Sequence, residues 1–131
     1  MVMFNQRCFV NTTPHAITIR LLNGDFLTIP PSDIQIRLKS RYKVISKDNG
    51  LQIADMKLFD EHKAFKSFKI DLEAKQFILM GWRFESDTIL LCSKLVAQYA
   101  SNIGIPKGIF AVPEGIKASK KGKYCQRIAF I

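Results

Sequence analysis

Two Asn-Gly pairs, Asn23-Gly24 and Asn49-Gly50, constrain this chain more than any other feature of its sequence. Asn and Gly tolerate the positive φ of a tight turn, so an Asn-Gly step between alternating apolar residues folds a chain back as an antiparallel hairpin. Before the first pair, Ile17, Ile19 and Leu21 alternate with Thr18, Arg20 and Leu22, and Asp25-Phe-Leu-Thr-Ile follows it. This predicts paired strands over 16–22 and 25–29, joined by a type I′ turn. The second pair lies between Tyr42-Lys-Val-Ile and Leu51-Gln-Ile, which predicts a second hairpin with an exposed polar tip.

Pro30-Pro31 cannot donate ladder hydrogen bonds and ends the second strand. Alternation resumes over 33–39 with Ile34, Ile36 and Leu38 inward, predicting a third strand, and a further strand is predicted at 66–71. The stretches 76–84 and 87–92 are near-continuous apolar runs, the pattern of central strands buried on both faces. Ser93 is a good N-cap for Lys94-Leu-Val-Ala-Gln-Tyr-Ala-Ser, in which Leu95, Val96 and Tyr99 form a helical stripe that Gly104 and Pro106 close. A short strand-like stretch at 108–113, a basic loop at 117–123 and a last strand at 124–131 complete the reading. No repeat or linker interrupts the 131 residues, so the prediction is one domain of α+β class: a mainly antiparallel sheet or partly closed barrel, with one main helix at about 93–102.

Composition narrows the function class. At 47% hydrophobic and 24% charged residues the chain is rich enough in apolar side chains to bury a core, and its +9 charge favours an anionic partner. Charged residues interrupt every apolar run short of the roughly 18–20 residues that span a bilayer, and the first residues lack the order of a signal peptide. A cytoplasmic protein without membrane contact is expected. Cys8, Cys92 and Cys125 form no C-x-x-C pair and no His/Cys metal spacing, so they are read as reduced thiols, with no metal and no cofactor implied.

Two basic segments are candidate anion-binding surfaces. Arg37, Lys39, Arg41, Lys43 and Lys47 stand at odd positions, which on an extended chain project opposite to Ile36 and Leu38. Lys117, Lys120, Lys121 and Lys123 cluster around Gly122 in the predicted loop. A nucleotide pocket is the alternative. Asn11, Thr13 and His15 precede a strand, where His15 could serve as general acid/base or hold a phosphate, while Ser93 and Lys94 offer a helix N-terminus to an anion. Each has a plainer role: Asn11 and Thr13 close a turn, and Ser93 caps its helix, since no Gly-x-Ser-x-Gly elbow surrounds it. His62, among Asp60, Glu61 and Lys63, reads as a solvated residue, whereas Phe65, Phe68, Trp82 and Phe84 read as core.

Asn11-Thr-Thr-Pro-His-Ala-Ile17 resembles the N-L-T-P-H-x-I/V opening of a family of small proteins common in bacteriophages and prophages. The resemblance continues in order through Pro30-Pro31-Ser32 and Ile36-Arg37-Leu38, then Ser93-Lys-Leu-Val-Ala-Gln98, Val112-Pro113-Glu-Gly115 and the closing Gly122-Lys-Tyr-Cys-Gln-Arg-Ile. Thr12 stands where that family has Leu, Glu114 interrupts the Pro-Gly step, and 39–75 carries no matching motif. The resemblance implies a phage-type accessory protein without implying an activity. Joined to the charge, it predicts a non-catalytic protein that engages a host component, a nucleic acid or a nucleic-acid-binding effector, in host cytoplasm and in the service of countering host defence. Binding or hydrolysis of a nucleotide signal near His15 and Ser93 is the alternative.

Overall fold

The computed structural model describes residues 1–60 and 63–131, so the reading of His62 falls outside it. Its strands are β1 (Val2–Phe4), β2 (Arg7–Asn11), β3 (Ile17–Arg20), β4 (Phe26–Ile29), β5 (Leu38–Asp48), β6 (Leu51–Asp60), β7 (Lys69–Asp71), β8 (Gln76–Leu79), β9 (Trp82–Glu85) and β10 (Ile89–Leu91). Helix α1 (Lys94–Asn102) follows, then β11 (Phe110–Glu114), β12 (Lys117–Ser119), β13 (Gly122–Tyr124) and β14 (Arg127–Phe130). No helix among the described residues is long and apolar enough to cross a membrane.

The organising element is a five-stranded sheet in the order β1-β2-β10-β11-β14. Its outer pairs are antiparallel, but β10 pairs parallel with both β2 and β11. The predicted α+β class and mainly antiparallel pairing hold for the chain. The barrel alternative does not: the order of the main sheet is linear, and no closed barrel forms among the described residues. Parallel neighbours need a crossover of about a dozen residues or more, and α1 with its flanks supplies it between β10 and β11. Local alternation reports burial, not strand direction, so the parallel centre was not readable from it.

β10 lies between two apolar layers, as its unbroken apolar run predicted. Leu90 faces the first layer, where Val96, Ala97 and Ala100 of α1 pack with Ile34, Ile36, Phe65, Phe77 and Phe84. Ile89 and Leu91 face the second, formed with Ile19 and Ile29 of the β3–β4 hairpin and Cys125. Burying each Val, Leu, Ile or Phe among these contributes about 1.5–3 kcal/mol. Cys8, Cys92 and Cys125 are free thiols. Burial pushes the Cys92 thiol up to about 12, so it is protonated at neutral pH.

Several local expectations change. Asn23-Gly24 does turn a hairpin, but Gly24 N–H donates to the Leu21 carbonyl and only Gly24 has positive φ, a type I turn with a bulge rather than type I′. The run 76–84 is no central strand: Met80 (φ 54°) and Gly81 (φ 81°) reverse it into the β8–β9 hairpin. Trp82 is consequently 51% exposed rather than core. Residues 33–37 join no ladder although Ile34 and Ile36 are buried as predicted, and the strand expected at 66–71 is confined to β7. The basic loop is the hairpin β12–β13.

Helix α1 keeps the predicted bounds, but its buried face is Val96, Ala97 and Ala100 with Tyr99 packed beside them, and Leu95 of the predicted stripe is exposed. Ser93 has extended backbone and its Oγ accepts from Val96 N–H at 3.3 Å. At the other end Gly104 N–H donates to Ser101 O and Ile105 N–H to Ala100 O, a Schellman closure that the positive φ of Gly104 permits. Replacing Ser93 by Ala is expected to lower stability by about 1 kcal/mol, and by Gly or Asp by less. Urea denaturation checks this; equal losses in all three variants would contradict the cap.

Candidate functional site

The second Asn-Gly turn builds a long, almost wholly exposed hairpin. Asn49 (φ 48°) and Gly50 (φ 85°) join β5 and β6 in a two-stranded arm of 11 and 10 residues. All of its residues from Lys39 to Lys57 are exposed. Residues directly opposite in an antiparallel pair share a face. The register sets Lys39 across from Phe59, Arg41 across from Lys57, Lys43 across from Asp55 and, beyond the bulge, Asp48 across from Leu51, so one face carries four cations towards the root and middle and two carboxylates towards the tip. The Arg41 guanidinium lies over the Phe59 ring, 4.9 Å from its centroid, which orients the charge while leaving its edge to solvent.

The predicted basic stripe is thus partly assembled. Lys39, Arg41 and Lys43 share a face, but a bulge between Val44 and Ser46 inserts Ile45 and shifts the alternation, placing Lys47 with Gln52 on the opposite face. Arg37 precedes the ladder and donates to Gln35 Oε1 at 3.4 Å. Lys57 was missed. Counting back from a two-residue turn sets it across from Tyr42, and only the bulge, which has no clear sequence signal, brings it beside Arg41. In β12–β13, Lys117 pairs with Tyr124 and Lys123 with Ala118, so these two lysines point to opposite faces while Lys120 and Lys121 occupy the tip. The four do not form one cluster.

Four of the five residues of the alternative pocket, Thr13, His15, Ser93 and Lys94, line one cleft, and Asn11 does not. The carboxyl ends of β2, β10 and β11 border a cleft of about 420 Å³ lined by Thr13, His15, Ser93, Lys94, Val112 and Pro113, among others. Crevices of this kind, outside the carboxyl ends of parallel strands, are where open sheets bind ligands, and the volume is that of a small-molecule site. An adjoining hollow of about 150 Å³ shares Ile17 and Pro113 and adds Lys123. Among the described residues, no group of three or more His, Cys, Asp or Glu gathers as a metal site.

Asn11 lies under this cleft rather than in it, fully buried. Its Oδ1 accepts from Thr13 N–H at 2.9 Å and from Thr13 Oγ1 at 2.7 Å; its Nδ2 donates to the carbonyls of His15 at 2.8 Å and Ile29 at 3.0 Å. The Asn11 carbonyl accepts from Ser32 N and Oγ, and Thr12 donates both N–H and Oγ1 to Leu91 O. The turn predicted from Asn11 and Thr13 is therefore present, with the His15 carbonyl as one of its acceptors. Comparison with protein-family models, curated proteins and solved structures finds no match for this chain.

Each buried polar group left unpaired costs about 1–3 kcal/mol. Asn11→Ala strips its side-chain partner from Thr13 N–H and from the Ile29 carbonyl, while the His15 carbonyl keeps Thr13 Oγ1, so it is expected to destabilise the fold by about 2 kcal/mol or more. Chemical denaturation measures this, and a loss below about 1 kcal/mol would contradict the role of Asn11 as a structural hub.

Proposed function

We propose that this chain is a non-catalytic binding protein that engages nucleic acid through the cationic face of its β5–β6 arm, in the phage accessory setting its motifs resemble, where such binding serves to counter host defence. One observation carries the reading: a projecting two-stranded ribbon bears Lys39, Arg41, Lys43 and Lys57 on one side. A major groove admits a two-stranded ribbon, and phosphates reward lysine and arginine irrespective of sequence by releasing condensed counterions. The net charge of +9 adds long-range attraction. The arm occupies all of the first half of 39–75, the segment without a family motif, so this activity belongs to the chain's own elaboration of the scaffold.

A mixed-sequence 20-base-pair DNA duplex is the probe. Replacing Lys39, Arg41, Lys43 and Lys57 together by Ser is expected to weaken binding and to reduce the slope of log affinity against log salt by up to about 3.6, at roughly 0.9 per phosphate contact. An unchanged slope overturns the reading. Binding of an acidic protein surface, with no affinity for the duplex, would transfer the arm to the other partner class.

A second reading rests on the cleft, which gathers Thr13, His15, Ser93 and Lys94 from two distant stretches of chain. It takes the place of the first if the parent protein turns over a cyclic or linear nucleotide and a folded His15→Gln variant does not.

A further inference from the structure

We infer that the pocket at the root of the arm takes one unpaired nucleobase, so that among DNA duplexes this protein prefers those with a single-stranded end; the inference rests on the arm binding nucleic acid. A cavity of about 380 Å³ opens between the end of β6, the 63–66 turn and the last turn of α1, and the residues that line it include Phe59, Asp60, Lys63, Phe65, Lys66 and Tyr99. Its walls are held from within. The Asp60 carboxylate accepts from Ala64 N–H at 2.9 Å through Oδ1 and from Phe65 N–H at 2.8 Å through Oδ2, while Lys63 N–H donates to the Asp60 carbonyl. Phe65 is buried against Phe110 and meets the Tyr99 ring at 5.4 Å between centroids, which fixes that ring beside the pocket.

The chemistry of this lining selects its occupant. Both Asp60 oxygens are taken by backbone donors, so the pocket offers a ligand two ammonium groups, on the exposed Lys63 and Lys66, beside aromatic rings. Cations next to aromatic faces suit a base with its phosphate, because a ring stacks on any base and lysine neutralises the phosphate. Phe59 is 39% exposed, which leaves ring surface for such stacking. Continuity with the arm points to the same ligand. Phe59 borders the pocket and is also the partner of Lys39 across the ladder, with Arg41 over its ring, so the cationic row ends where the pocket begins. A DNA strand tracked by Lys43, Arg41 and Lys39 towards the root therefore reaches Phe59 with its next base beside the opening. Bases inside a duplex are stacked and paired and do not enter, whereas an unpaired base enters at little cost. The volume is that of a site for one small ligand, since such sites begin at about 300 Å³.

The probes are the blunt 20-base-pair duplex, the same duplex with a short single-stranded end carrying 2-aminopurine, on the 3′ side in one version and the 5′ side in another, and free deoxyadenosine monophosphate. At least one overhanging duplex should bind the full chain about 10-fold more tightly than the blunt one, within what one stacked base contributes, and its 2-aminopurine fluorescence should fall on binding. Lys63→Ser with Lys66→Ser should bring blunt and overhanging duplexes to equal affinity while the blunt duplex keeps its salt slope. Tyr99→Leu, which keeps apolar bulk against Phe65, should do the same, with circular dichroism confirming a folded body in every variant. Replacing Lys39, Arg41, Lys43 and Lys57 by Ser should weaken both duplexes alike, so the arm and the pocket fail separately. Equal affinity of the parent protein for blunt and overhanging duplexes overturns the inference and leaves the arm reading intact. So does a gain that persists in the lysine pair variant and in folded Tyr99→Leu. Tight binding of the free nucleotide with no gain from an overhang makes the pocket a mononucleotide site and overturns the inference as well, and binding of no probe overturns both readings.

Discussion

Asn11 is a buried amide whose side chain makes four hydrogen bonds that tie the 11–15 turn to the end of β4. It closes the 11–15 turn, holds the end of β4 through the Ile29 carbonyl, and through its own carbonyl receives Ser32. Thr12 next to it fastens the same point to Leu91 of β10 and accepts from Ile36 N–H. Both the cleft and the arm connect to this hub. The turn forms one wall of the cleft, and the 32–36 segment that it anchors leads directly into β5. A buried polar network is stabilising only when every member is satisfied, and no buried side-chain nitrogen or oxygen among the described residues lacks a partner.

From that anchor the chain does two different things. Within the body, β2, β10 and β11 run parallel with α1 as the crossover, so their loops diverge at one end and open the cleft. Beyond the body, β5 and β6 carry the same alternation past the last core contact and become a ribbon with two chemically distinct faces. One face carries the cationic row together with Phe59, Ile53 and Leu51, and the other carries Ser40, Tyr42, Val44 and Met56.

The sequence revealed the turns, the helix and the central strand because each rests on local chemistry. Gly and Asn at positive φ, Ser93 with extended backbone before α1, and the unbroken apolar run into Leu91 all act within a few residues of themselves. It concealed what depends on distant pairing. The parallel direction of β10 follows from partners about 80 positions back and 20 ahead in the chain. The run 76–84 was misread because its turn uses Met80, a residue with no preference for positive φ. The candidate site was legible to the same degree: Lys39, Arg41 and Lys43 follow from alternation, whereas Lys57 arrives beside them, and Lys47 leaves, only through a bulge. That Thr13, His15, Ser93 and Lys94 share a cleft follows from β2 and β10 being neighbours, which no local pattern encodes.

The central claim is that the arm, and not the cleft, is where this protein meets its partner. Amide hydrogen exchange of the full chain with and without the 20-base-pair duplex tests this most directly, since it maps contact without altering a residue. The account predicts added protection within 39–57, with 11–16 and 92–95 unchanged. Protection centred on 11–16 and 92–95, or no protection anywhere at a concentration that saturates binding, would contradict it.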